Sequence, residues 1–189
     1  DLYFYGNYGD FKIRFNRDTI GALALYRQAR AQAPETATGS LFQSASLFYE
    51  NRIDSATKML YKALEYDPSN LDALSQIVQI EYRKKDFAQC LRMAKKAFST
   101  AEVNIQANQD LRYRFQSMYN YMAMAHYSQV RYDSAMYYAR YAVAVDTNVA
   151  YPYTTLAESY AFMGQKEQFY RNVCKAVSKG FDYTPEIVN

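Results

Sequence analysis

The side chains best suited to catalysis or metal binding are few in this sequence. His126 is the single histidine, and the two cysteines, Cys90 and Cys174, belong to no CxxC motif or Cys/His cluster. A histidine-rich metal site or a Cys-His relay would therefore depend on His126 alone. The nucleotide-binding motifs GxGxxG and GxxxxGK[ST] and the zinc-binding motif HExxH do not occur. The sequence thus predicts a protein that is not an enzyme and that carries no cofactor and no metal.

A cationic cluster is the next feature with a chemical meaning, because Lys and Arg side chains neutralise the phosphates of nucleic acids. It consists of Arg83, Lys84 and Lys85, followed by Arg92, Lys95 and Lys96. The first three residues end a predicted helix, where cations interact favourably with the helix dipole. The formal net charge of the whole chain is only +3, far from the dense cationic surface of a nucleic-acid binder. Binding of nucleic acid is therefore not expected, and a helical-repeat RNA binder is the weakest of the alternatives.

Composition limits the class of fold that holds these residues. The 189 residues contain only 6 Gly and 4 Pro, which is few for the tight turns of a sandwich or barrel. No segment approaches the roughly 18 uncharged apolar residues of a membrane span, so membrane insertion by this segment is not expected. The chain starts with Asp1 instead of Met, which indicates either a processed signal or a segment of a longer protein. The sequence does not decide between a cytoplasmic and an exported protein.

An internal repeat organises the chain. Small residues recur with spacings of 34, 34 and 45 residues, and a further step of 34 reaches an aromatic residue; the series is Ala22, Ala56, Cys90, Ala135 and Phe169. A second series lies seven residues further on each time, at Ala29, Ala63, Ala97, Ala142 and Ala176. Seven residues are about two helical turns, so both series lie on one face of one helix per repeat.

The residues around these positions resemble the tetratricopeptide repeat, a 34-residue helix-turn-helix unit. The second unit carries the resemblance most clearly in the stretch NRIDSATKMLYKALEYDPSN, and the fifth unit carries it at Tyr153, Leu156, Ala157 and Tyr160. The resemblance implies an all-α fold, a right-handed superhelical α-α solenoid of about four and a half repeats. The units are predicted at 18–36, 37–70, 71–115, 116–149 and 150–183, within one helical repeat domain over 18–183.

Three segments depart from the repeat. Residues 1–17 contain Gly6 and Gly9, and each glycine costs a helix about 1 kcal/mol relative to alanine. We therefore expect the first helix of unit one to be absent or short, and the aromatic segment to pack on the first repeat. The 45-residue step predicts two longer helices that form a protruding hairpin near residues 99–115. Residues 184–189 resemble the start of a capping helix, because Pro185 follows the candidate N-cap Thr184.

The resemblance also implies where a partner would bind. In tetratricopeptide arrays the first helices of successive units line a concave groove, and here the exposed positions of those helices are rich in aromatic and amide side chains. They are Phe48, Tyr49, Gln79, Tyr82, Arg83, Asn120, Met124, Tyr127, Glu158 and Phe162, with Thr154 beside them. Tyrosine contributes a large contact area at little cost in side-chain entropy. A clamp of Lys and Asn for a C-terminal carboxylate is not expected, because Thr38, Leu41, Ala45, Ser75 and Gln79 stand in several of its places.

The remaining candidates are given structural roles. His126 occupies an inward Tyr place of the family pattern and Cys90 a small-residue place, so both are expected in the core. A second surface patch at Tyr137, Tyr138 and Tyr141 is expected to be ordinary packing. The sequence thus predicts a non-catalytic interaction module, an adaptor or scaffold for a protein or peptide. A regulatory or sensor segment of a larger, membrane-tethered or exported protein is the alternative, and self-association of the chain stays open.

Overall fold

The computed structural model describes residues 2–100 and 109–182, and within these ranges it contains ten α-helices and no strand. The helices are α1 (Leu2–Asn16), α2 (Thr19–Gln32), α3 (Ala37–Tyr49), α4 (Ile53–Tyr66), α5 (Leu71–Arg83), α6 (Phe87–Thr100), α7 (Gln109–Ser128), α8 (Tyr132–Val145), α9 (Tyr151–Phe162) and α10 (Lys166–Ser178). The all-α fold predicted from the sequence is confirmed. The chain divides into two compact units, residues 1–80 and 81–189.

The first unit contains α1 to α4 and most of α5. Consecutive helices from α1 to α4 pack on one another. Small residues at the predicted places make this close contact possible, because Ala22, Ala29, Ala56 and Ala63 have no exposed surface. Larger apolar side chains fill the space between them, chiefly Tyr26, Leu60, Leu74 and Ile77.

The second unit repeats the same construction. Consecutive helices from α6 to α10 pack on one another, and α7 also contacts α9. Cys90, Ala97, Ala135, Ala142 and Ala176 are fully buried, whereas Phe169, the aromatic member of the small-residue series, is partly buried. Burial of both series in both units confirms that the 34-residue period marks the helix-helix contacts.

The segment before residue 18 corrects one expectation. Residues 2–16 form α1, a helix of 15 residues, so the prediction that this helix is absent or short is wrong. Gly9 lies so close to α2 that a Cβ at this position would be 2.5 Å from Cε1 of Tyr26. The glycine therefore permits close packing of α1, and this packing offsets its low helix propensity. The described helices follow one another as five pairs instead of four and a half.

The long step between units three and four lengthens α7. This helix has 20 residues, whereas α3 and α5 have 13 each. The expected tip of the hairpin, residues 101–108, lies outside the described residues, as does the predicted start of a helix at Thr184 and Pro185.

Backbone conformation marks the same period as the small residues. Each turn within a helix pair holds one residue with φ between 51° and 70°, at Arg17, Asn51, Lys85, Val130 and Gly164. In four of these turns the next residue donates its N–H to a carbonyl five residues back, as from Arg52 to Leu47 and from Arg131 to His126. This bond belongs to the Schellman motif, which ends a helix with one left-handed residue.

Valine is the least suitable of these five residues, because a β-branched side chain is strained at positive φ. Val130 has φ 61° and an exposed side chain, so it gains little packing energy in return. We expect Val130→Gly to raise the free energy of unfolding by about 1 kcal/mol, as measured by urea denaturation followed by circular dichroism. Val130→Ala serves as the control and should recover only part of this gain. A lower stability of Val130→Gly would contradict the strain argument.

Candidate functional site

A cleft of about 280 Å³ opens in the first unit between α1, α2, α3 and α5. Three of the residues predicted to bind a partner line it, namely Phe48, Tyr49 and Gln79. The other lining residues are Asp10, Tyr26, Ala45, Gln76 and Ile80. The repeat register therefore brings these three predicted positions to one concave site.

Aromatic rings form one wall of this cleft. Phe48 and Tyr49 contact each other edge to face with ring centroids 5.7 Å apart, and Tyr49 stacks on Tyr26 at 6.4 Å. Tyr26 is buried, whereas Tyr49 keeps 41% of its surface exposed. Such rings offer a flat apolar surface with polar hydroxyl ends, which suits contact with a partner's side chain.

Polar groups complete the cleft. Gln76 and Gln79 are half-buried, and each primary amide can donate and accept hydrogen bonds. The Tyr26 hydroxyl donates a hydrogen bond of 2.5 Å to a carboxylate oxygen of Asp10. This bond fixes the carboxylate at the mouth of the cleft, where it adds a negative charge.

Two of the polar residues are absent from the sequence-based prediction. Asp10 is missing because the first helix was expected to be absent or short. Gln76 lies one turn before Gln79 on the same face of α5. The signal that would have found Asp10 is the helical spacing of Phe4, Tyr8, Phe11 and Phe15 in the same segment.

In the second unit, three further predicted residues meet at the ends of α7 and α9. The Tyr127 ring lies 6.0 Å from that of Phe162, and Phe162 stacks on Tyr132 at 5.1 Å. Burial, the Glu158 carboxylate and a hydrogen bond to it raise the pKa of Tyr127 to about 12. The Tyr127 hydroxyl therefore stays protonated and donates to Glu158, while Phe162 keeps 66% of its surface exposed.

The other predicted residues of this unit do not join that cluster. Tyr82 contacts Tyr121 and Phe87, with centroids 5.5 and 5.8 Å apart. The Asn120 amide donates to the Met124 sulfur at 3.4 Å. Arg83 is exposed. Tyr82, Asn120 and Met124 thus form local contacts separate from the Tyr127 cluster.

The groups with potential for chemistry occupy the positions that the sequence predicts. His126 is 8% exposed and stacks on Tyr138 at 5.2 Å. Burial, helped by the positive charges of Arg131 and Lys95, lowers its pKa. Burial raises the pKa of the Cys90 thiol to about 12, and the carboxylates of Glu81 and Asp86 add to this effect. A thiol in this state is a packing group and a poor nucleophile.

Within residues 2–100 and 109–182, no group of three or more His, Cys, Asp or Glu side chains is arranged to hold a metal ion. None of the helices described there is both long and apolar enough to cross a membrane.

Known structures place this arrangement among the helical-repeat proteins, whereas no protein-family model matches the chain. PilF of Pseudomonas aeruginosa is similar with a TM-score of 0.79 and 14% identity, over 96% of this chain and 77% of the PilF chain. PilW, a widely conserved type IV pilus biogenesis factor, is similar with a TM-score of 0.77 and 15% identity, over 94% of this chain and 77% of the PilW chain. MamA is similar with a TM-score of 0.68 and 16% identity, over 90% of this chain and 93% of the MamA chain. These proteins contain tetratricopeptide repeats, so the fold of this chain is of the tetratricopeptide-like helical-repeat class.

Proposed function

We propose that this chain is a non-catalytic interaction module that binds an extended segment of a partner protein in the cleft of its first unit. The observation that carries the proposal is the lining of this cleft, where the rings of Phe48 and Tyr49 stand beside the amides of Gln76 and Gln79. The exposed ring of Phe162 in the second unit offers a further contact for the same class of partner.

A peptide fits the chemistry of the cleft better than a cofactor does. Its volume of about 280 Å³ is at the lower limit of the roughly 300–1,000 Å³ of small-molecule sites. Such a space suits one or two side chains of a longer segment that continues outside the cleft. The amides of Gln76 and Gln79 match the alternating N–H and C=O groups of an extended backbone.

The Asp10 carboxylate indicates the charge of that segment. Its oxygen already accepts a hydrogen bond from Tyr26, and a carboxylate has further acceptor sites for a cationic partner. We therefore expect a sequence in which an apolar or aromatic residue lies close to Lys or Arg. The apolar side chain would contact Tyr49 and the cation would approach Asp10.

The proposal is tested by selecting peptides on the folded chain from a phage-displayed library of random sequences. The selected peptides are then synthesised and titrated by calorimetry. We expect Gln76→Ala/Gln79→Ala to weaken binding at least tenfold, because two hydrogen bonds of about 1 kcal/mol each are lost. Gln28→Ala/Gln165→Ala removes two exposed amides elsewhere and is the matched control. Selection that yields no binder, or equal affinities for both double variants, would rule out the cleft as the binding site.

A further inference from the structure

The outer face of α1 carries an unusual exposed surface. Phe4, Tyr8, Phe11 and Phe15, here called the α1 stripe, expose 59%, 39%, 46% and 73% of their surfaces. Successive rings of the stripe lie 5.5, 6.4 and 5.0 Å apart. Single exposed apolar residues are common, whereas a continuous row of four rings marks an interaction surface.

The stripe cannot turn inward, because the other side of α1 is already occupied. Gly9 is buried against Tyr26, and a Cβ on Gly6 would lie 3.2 Å from the ring of Phe42. At 100° per residue the four aromatic residues fall within a sector of about 60°. The buried glycine lies on the side of the helix opposite this sector, so the packing of α1 in the first unit directs the stripe away from that unit.

The spacing of the stripe is the same when it is read in either direction. Its four positions are separated by four, three and four residues. A second α1 that lies antiparallel across the stripe therefore places Phe15 opposite Phe4 and Phe11 opposite Tyr8. The two-fold axis of this arrangement passes between Tyr8 and Phe11. Spacings of four and three residues are also those of the seam between two packed helices in a coiled coil.

We propose that the chain forms a symmetric dimer in which the α1 stripes of two copies pack antiparallel. A two-fold interface uses the same patch on both copies, which requires a patch that is complementary to itself. The α1 stripe meets this requirement because each of its rings has another ring as its counterpart.

The area of the stripe is sufficient for a weak dimer. With about 200 Å² for each fully exposed ring side chain, the exposed fractions amount to roughly 430 Å² per copy. Two copies would bury roughly 860 Å² from the rings alone, and side chains beside the stripe bring the total close to the 1,000 Å² of a specific interface. We therefore expect dissociation constants in the micromolar range.

Charges beside the stripe are compatible with this pairing. The Lys12 ammonium lies 2.7 Å from the Asp18 carboxylate and 5.3 Å from the centroid of the Tyr8 ring. In the antiparallel arrangement Lys12 of one copy is level along the helix axis with Asn7 of the other. The two lysines of the dimer are therefore offset by five residues, roughly 7.5 Å, and do not lie directly opposite each other.

The dimer is tested by sedimentation velocity over a range of protein concentrations. We expect the wild-type chain to change from monomer to dimer, and Tyr8→Glu/Phe11→Glu to stay monomeric with a dissociation constant raised at least 30-fold. Tyr170→Glu/Val177→Glu introduces the same charges at side chains of α10 that are 54% and 53% exposed, and this control should dimerise as the wild type does. Circular dichroism of each variant verifies that it is folded.

The antiparallel orientation has its own test by disulfide formation, in chains with Cys174→Ser. A mixture of Phe4→Cys and Phe15→Cys chains should form a cross-linked dimer on mild oxidation. Either variant alone should not, because two copies of one position are offset by 11 residues, roughly 16 Å along the helix, beyond the reach of a disulfide. A wild-type chain that stays monomeric, a dimer that persists in Tyr8→Glu/Phe11→Glu, or cross-linking of Phe4→Cys with itself would overturn the proposal.

Discussion

Replacing Tyr26 with alanine is expected to lower the free energy of unfolding by about 4 kcal/mol, which is typical of removing a fully buried aromatic side chain. Tyr26 is only 2% exposed. Its ring stacks on Phe42 with centroids 6.0 Å apart and on Tyr49 at 6.4 Å, and it contacts α1 at Gly9. One side chain therefore connects three helices and forms the base of the cleft.

Urea denaturation followed by circular dichroism measures this loss of stability. The variant Tyr26→Phe separates the contribution of the ring from that of the hydroxyl group. Phenylalanine keeps the ring and removes the hydrogen bond to Asp10, so we expect a loss of only about 1 kcal/mol. If Tyr26→Ala were no less stable than Tyr26→Phe, the stacked arrangement of α1, α2 and α3 would be incorrect.

A single added methyl group at Gly39 is expected to destabilise the chain by about 3 kcal/mol, at the upper end of the cost of overpacking. A Cβ on Gly39 would lie 1.8 Å from the carbonyl oxygen of Ala33. This contact is with backbone, so no side-chain rotation relieves it. The turn between α2 and α3 is also held in place by Thr36. The Thr36 hydroxyl donates a hydrogen bond to the Ala33 carbonyl and accepts one from the N–H of Gly39.

Gly6→Ala is the matched control for Gly39→Ala. Both glycines lie within helices, and alanine favours a helix over glycine by about 1 kcal/mol in each. At Gly6 the new methyl group meets only the Phe42 ring at 3.2 Å, and a small movement of that ring accommodates it. We expect thermal denaturation to show Gly6→Ala close to the wild type and Gly39→Ala clearly below it. Equal midpoints for the two variants would contradict the close contact of Gly39 with Ala33.

The repeat is the feature that could be predicted from the sequence with the fewest assumptions. Helices that pack closely in a regular stack leave room only for small side chains at their contacts, so Ala22, Ala56, Ala63 and Ala97 recur at fixed spacing and are fully buried. The turn period was less visible, since Arg17, Asn51, Lys85 and Val130 adopt one conformation although they share no residue type. In these turns the repeat is visible in the backbone conformation and not in the residue types.

Prediction of α1 was wrong because helix propensity describes an isolated helix. Gly6 and Gly9 lower that propensity, but their missing side chains let α1 approach Phe42 and Tyr26. Packing energy in the folded unit outweighs the local cost. Packing of this glycine side of α1 on the first unit leaves the α1 stripe exposed on the other side of the helix. The formation of α1 and the exposure of its stripe therefore both depend on tertiary contacts.

The sequence by itself determined the all-α repeat class and the register that places Phe48, Tyr49 and Gln79 on the inner face of their helices. Only the tertiary structure decided that Asp10 and Tyr26 meet these residues in one cleft. A periodic pattern fixes the direction of a side chain about its own helix axis. The distance between two helices depends on the side chains at their contact, and this distance determines whether a cleft opens between them.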